Sequence, residues 1–150
     1  MLMRYLYALL LLAIIAGCDF DSNDGSVQSD ECALQWAEAF FNYNFKRAAK
    51  LTTPESQKWL RYAASNMTEE DLDVIRQQDE PAEVTLVSID EVDDTTWQAV
   101  VEVDHLVMPD TIGHPVKPYG QPKQFSLSIV RRNKRMFVHM NGLPHPHKAE

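Results

Sequence analysis

A chain of 150 residues with 14 Lys and Arg against 22 Asp and Glu carries a formal net charge of −8. That length is one domain's worth and can bury a core without a metal or a disulfide framework, while the acidic balance excludes nucleic acid as a partner. The same sign argues against the domain lying flat on anionic headgroups, which attract clustered Lys and Arg.

Arg4 is followed by an apolar run over residues 5–16, rich in leucine from Leu9 to Leu12, which closes on Ile15-Ala16-Gly17-Cys18. A charged start, an apolar middle and small residues at the cleavage point make a secretory signal. With Cys directly after Gly17 the layout is that of a bacterial lipoprotein signal, cut between Gly17 and Cys18. The run falls short of the roughly 18 apolar residues that read as a transmembrane span. Residues 1–17 are therefore expected to be removed, and Cys18 to carry palmitate and hold the protein on its membrane. Asp19 behind the lipidated Cys resembles an inner-membrane retention signal, which favours the periplasmic face of the inner membrane over the outer membrane. Residues 18–29 are polar and acidic and read as a tether, its part after Cys18 spanning roughly 17 to 20 Å. Cys32, left without an intramolecular partner, reads as a packing residue.

Asp30 and Glu31 place negative charge where a helix begins, and Ala33, Trp36, Ala37, Phe40 and Phe41 form an apolar stripe at helical spacing. Asn42-Tyr43-Asn44 breaks it, and residues 45–51 resume as a short helix. Thr53-Pro54 predicts another start, with Thr as cap and Pro at the first position, and Trp59, Leu60, Ala63 and Ala64 as its apolar face. Thr68 and Asp71 have the spacing of a capping box, with Met67 and Leu72 spaced as a hydrophobic staple. The helix they open runs to about Gln78 and stops before Pro81.

The period then changes from 3.6 to 2. Residues 84–92 predict a strand, with Asp93-Asp94 as the turn after it. Residues 97–108 predict the longest strand, with Trp97, Ala99, Val101, Val103, His105 and Val107 on the core face and Gln98, Glu102 and Asp104 on a wet one. Residues 124–132 repeat the alternation with Phe125, Leu127 and Ile129 inward. Asn133-Lys134 turns the chain into residues 136–140. Between the second and third strands lies a long loop, residues 109–123, stiffened by four prolines.

Helices first and antiparallel strands after them predict an α+β domain, with the helices on one face of a curved sheet of about four strands. The passage Ala37-Glu38-Ala39-Phe40-Phe41-Asn42-Tyr43-Asn44-Phe45-Lys46-Arg47-Ala48 resembles the opening helix, turn and second helix of the nuclear transport factor 2-like, or SnoaL-like, superfamily, also called cystatin-like. The hairpin over residues 125–140 is similar to the closing hairpin of small bacterial lipoproteins in that superfamily. The resemblance covers about residues 31 to 142. It implies a cone with a pocket at its open end, often a dimer, and among some relatives an isomerase or hydratase activity using an acidic base or a His-Asp pair. The domain is placed at residues 30–143, with 144–150 as a tail.

Candidate pocket residues are Trp36, Phe40, Tyr43, Trp59, Tyr62, His105 and Phe125. His105 is the one titratable side chain on the expected core face, so it is the candidate general base, although no aspartate falls opposite it. His145 and His147 are too few for a defined metal site, and no phosphate loop or nucleophile elbow is present, so neither cofactor nor metal is expected. The leading expectation is a non-enzymatic envelope domain that binds a small apolar ligand or an envelope protein through the pocket and the proline-rich loop. An isomerase or hydratase with His105 as base is the alternative. A scaffold acting through Gln98, Glu102, Ser126 and Ser128 is the third, and those polar residues predict a monomer or weak homodimer.

Overall fold

The computed structural model describes residues 25–148, so the signal, Gly17 and Cys18 lie outside the described residues. Helix α1, Gly25–Phe41, is followed by α2, Phe45–Ala49, a 3-10 turn at Pro54–Ser56, α3, Gln57–Ser65, and α4, Glu69–Arg76. Strands β1, Glu83–Asp93, β2, Thr96–Asp104, β5, Lys123–Arg132, and β6, Arg135–His139, form one antiparallel sheet in the order β1-β2-β5-β6. Two short strands, β3, Val107–Met108, and β4, Lys117–Pro118, pair separately. The architecture is α+β, with helices first and a four-stranded antiparallel sheet after them. No helix among the described residues is long and apolar enough to cross a membrane.

The core lies between α1 and the sheet. Ala33, Trp36, Ala37 and Phe40, one helical face, are all buried, and the two alanines let the helix backbone come close to the strands. Opposite them stand the cross-strand pairs Trp97 with Ile129, Ala99 with Leu127 and Val101 with Phe125. Val138 continues the row from Ile129. Every one of these side chains is buried, so the alternation read from the sequence is the inner face of the sheet. Asn133 and Lys134 both take left-handed backbone angles, φ 51° and 65°, as the tight β5–β6 turn requires.

The two sheet edges differ. Along β6, the segment after α2 docks in parallel: Val138 N donates to Leu51 O at 2.7 Å and Thr53 N to Val138 O at 3.0 Å. Ser56 Oγ then accepts from Met140 N at 2.8 Å. Among the described residues no segment pairs along the β1 edge of the four-strand order, and irregular registers fall between Leu86 and Ser88 and between Glu91 and Asp93.

Several boundaries depart from the sequence reading. Helix α1 begins at Gly25 rather than Asp30, so its first turn takes up part of the expected tether. Thr53 makes no side-chain cap; its hydroxyl donates to Ser56 Oγ at 2.6 Å, and the chain makes a 3-10 turn before α3. Of the expected α3 face, Leu60 and Ala63 are buried, Trp59 is half-buried and Ala64 is exposed. The expected long strand ends at Asp104, because His105 takes φ 53° and sends the chain into β3. Within the expected tail, His147 is tied to β5: its N donates to Gln124 O, and its Nε2 lies 2.8 Å from Ser126 Oγ.

Candidate functional site

Where α1 ends, Tyr43 N donates to Phe40 O at 3.0 Å and Asn44 N to Ala39 O at 2.8 Å, the bond pattern of a Schellman cap. The residue at the turning point is Tyr43, with φ 63°, where glycine is the usual choice. Asn42 fixes the same corner from the other side: its amide accepts from Ala82 N at 2.9 Å and donates to Ala82 O at 3.0 Å, tying the helix end to the chain entering β1. Asn44 then caps α2 by accepting from Arg47 N. From this corner the Tyr43 hydroxyl donates to Val107 O in β3 at 2.6 Å.

Between this corner, α3 and the loop joining β3 to β4 lies an apolar cleft of about 60 Å³. Phe40, Tyr43 and Phe45 form one wall, Ala63 and Met67 a second, and Val107, Ile112 and Val116 a third, with Leu143 and Pro144 closing the end. No Lys or Arg lines it. Gly113, at φ 85°, makes the turn that lays the loop across the end of α3, where a side chain would be strained.

Asp71 is the buried carboxylate of the cleft, 4% exposed. Its Oδ2 accepts from Thr68 N at 2.9 Å while Thr68 Oγ1 accepts from Asp71 N at 3.1 Å, which is the capping box read from the sequence. Oδ1 reaches 45 residues along the chain to accept from Val116 N at 3.0 Å. The backbone N–H of Val116, followed by that of Thr68, holds its carboxyl below the ordinary carboxylate range. Tyr43 is shifted the other way, its phenol raised by burial and by the charge of Asp71. An ionised acceptor and a neutral donor, each bonded to backbone, leave neither group free to move a proton for a ligand. The loop is closed again outside the cleft, where Asp110 pairs with Lys117 at 2.6 Å and accepts from the Tyr119 hydroxyl at 2.8 Å.

The structure divides the seven candidate pocket residues. Phe40 and Tyr43 line the cleft. Trp36 is core, stacked on Phe40 at 4.7 Å and donating from Nε1 to Thr52 Oγ1 at 2.8 Å. Phe125 is core as well, 4.5 Å from the ring of Phe41. Trp59 and Tyr62 meet edge to face at 6.4 Å away from the cleft, with Tyr62 exposed. His105 does not face the core: its left-handed backbone turns the ring outward, 39% exposed, to pair Nε2 with Glu80 Oε2 at 2.7 Å. It lines a separate, shallow groove of about 630 Å³ with Gln78, Glu80 and Tyr119. Sequence reasoning missed Met67, Ile112, Val116 and Leu143, and it saw only the capping half of Asp71. Cys32 is buried, and that burial, with the charge of Glu31 beside it, pushes the thiol up to about 12.

Among solved structures, the chain is similar to a protein described as an Ntf2 like protein involved in plasmid conjugation, with 11% identity and a TM-score of 0.47 over 80% of this chain and 48% of that one. The chain spans about half the length of that protein. No family model matches the chain, and a search of curated proteins gave no match.

Proposed function

We propose that this chain is a lipid-anchored protein of the bacterial cell envelope whose domain is a binding module, with the cleft beside Tyr43 taking an apolar group of a ligand or a protein partner. One observation carries the binding reading. The cleft is walled mainly by apolar side chains, with Asn66 and His114 also in its lining, and its buried carboxylate Asp71 and the Tyr43 hydroxyl are already bonded to the loop backbone at Val116 and Val107. Such a site offers apolar burial, with Asp71 and Tyr43 held in structural bonds. The anchor reading rests on the sequence at Gly17-Cys18.

The two halves have separate tests. In Cys18→Ser, palmitate incorporation should vanish and the precursor should accumulate with its signal uncut; a variant that still labels defeats the anchor. For the cleft, xenon is a suitable probe, because dry apolar cavities bind it. Methyl resonances of Met67, Val107 and Ile112 should shift under xenon pressure in the full-length protein held in phosphatidylcholine nanodiscs. Unmoved methyls defeat the binding reading.

A second reading, an enzyme with His105 as base, draws on the 2.7 Å contact to Glu80, which places an orienting carboxylate on the imidazole. Replacing His105 should then abolish turnover while leaving xenon uptake in the cleft intact.

A further inference from the structure

The open side of the sheet carries a second surface, apart from the cleft. Beside it runs a shallow groove of about 570 Å³, lined by Leu34 and Glu38 of α1 and by Ala82, Glu83, Val84 and Thr85 where the chain enters β1. Asn42 already takes both backbone groups of Ala82, so the unpaired stretch begins at Glu83. Among the described residues no strand pairs on this side of β1, and alternate residues of an edge strand point N–H and C=O outward. Pairing with β2 is regular over residues 83–86, up to the first irregular register.

The side chains along that stretch differ by face. Val84 and Leu86 are half-buried against the core, so Glu83 and Thr85 point to the outer face, where both are exposed. Behind them in β2 stand Asp104, across from Glu83, and Glu102, across from Thr85. The inner side of the edge is thus apolar, with Leu34 and Val84 in the groove, and the outer side is acidic. No lysine or arginine lines the groove. The basic side chains that reach these acids, Arg47 at 3.6 Å from Glu38 and His105 at 3.9 Å from Asp104, stand outside its lining. A second copy fits this edge poorly. Antiparallel pairing of β1 with β1 brings Glu83 of one copy toward Asp90, Glu91 and Asp93 of the other, and like charges across strands are destabilising.

We propose that the β1 edge at residues 83–86 takes up an extended segment of a partner protein in which apolar residues alternate with lysines or arginines, adding a further strand to the sheet. Its apolar side chains sit toward Leu34 and Val84, and its cations over Glu83, Glu102 and Asp104. Main-chain bonds give such a strand its affinity, and its alternate side chains give the choice of partner. The site is separate from the cleft beside Tyr43 and does not depend on how that cleft is read.

The test is a titration of full-length protein in phosphatidylcholine nanodiscs with four pentapeptides, blocked at both ends: Lys-Val-Lys-Val-Lys, the same peptide N-methylated at every residue, Lys-Ser-Lys-Ser-Lys and Glu-Val-Glu-Val-Glu. The first should shift the amides of Val84, Thr85 and Leu86 and leave that of Val116 in place. Its N-methylated form, without main-chain donors, should bind at least about tenfold more weakly, and the serine peptide at least about fivefold more weakly. The acidic peptide should also lose at least about fivefold, with the difference shrinking at high salt. Glu83→Lys, a change at an exposed position, should remove the preference for the basic peptide over the acidic one. Equal binding of the methylated and unmethylated peptides would mean attraction of charge without strand pairing and would overturn the proposal. So would equal binding of the basic and acidic peptides or of the valine and serine ones, shifts confined to residues away from β1, or a dimer of the protein alone whose β1 amides are protected from exchange.

Discussion

The two ends of this domain are held together by different physics. Between α1 and the sheet, stability is spread over many buried side chains, Trp36 and Phe40 against the rows Trp97–Ile129 and Val101–Phe125, so no single bond decides the shape. At the cleft, the loop between β3 and β4 is positioned by a few directional contacts: Tyr43 to Val107, Asp71 to Val116 and Asp110 to Lys117. Apolar burial fixes a surface but tolerates small shifts, whereas a hydrogen bond to a backbone group fixes a segment at one point and releases it when lost. The cleft end is therefore the part of the fold expected to open first.

The largest effect should come from the sheet. Phe125→Ala removes a fully buried ring from a central strand and should cost about 3 to 5 kcal/mol in denaturant unfolding, taking both ends of the molecule with it. If the cleft end lost its structure at a lower denaturant concentration in this variant, the two regions would be more independent than their shared helix implies.

Asp71→Asn probes the other side of the comparison. The amide oxygen keeps one acceptor, but the charge that strengthens both backbone bonds is gone, for a loss of about 1 to 3 kcal/mol. The effect should be local: the Val116 amide should exchange faster with solvent while Val101 in β2 keeps its protection. The pH dependence follows from the direction of the shift. A carboxyl held below its ordinary value in the folded protein contributes stability that is present above the unfolded value of about 3.9, and that contribution is lost as pH falls through the folded value. Wild-type protein should lose stability on acidification below about pH 4 more steeply than Asp71→Asn, measured by urea midpoints across that range. Identical pH profiles would show that Val116 is held by something else.

The smallest effect should be a gain. Lys134, at φ 65° in an exposed turn, replaced by Gly makes an Asn-Gly pair suited to two left-handed residues and should stabilise the hairpin by about 0.5 kcal/mol. Exchange at Val116 should not change, since the turn touches only the sheet. A slower Val116 amide would couple the two ends.

What was legible in the sequence divides along the same line. The α1 stripe, the alternation in β2 and β5 and the Asn133-Lys134 turn are local patterns, and each holds. The capping box at Thr68 is local as well, so half of Asp71's role was visible; the other half depends on Val116, 45 residues away, and leaves no periodic trace. His105 was misplaced because Val107, two residues on, is also buried and so continues the count of inward odd positions. Histidine is among the non-glycine types enriched at left-handed positions, but so weak a local signal does not stand out against the inward count through Val107. The candidate aromatics were read by type alone, and only Phe40 and Tyr43 stand at the end of α1 where the cleft forms.

The unequal edges of the sheet limit how copies of this chain can stack. A fibre built by strand pairing needs an open edge at each side of every unit, so that addition never runs out of places. Here the β6 side is already occupied by residues 51–53 of the same chain, and among the described residues only β1 remains an open edge of this sheet, bent by two irregular registers. Pairing through a single available edge joins β1 to β1, consumes both surfaces at once and ends at two chains. That asymmetry is a chain terminator written into the fold.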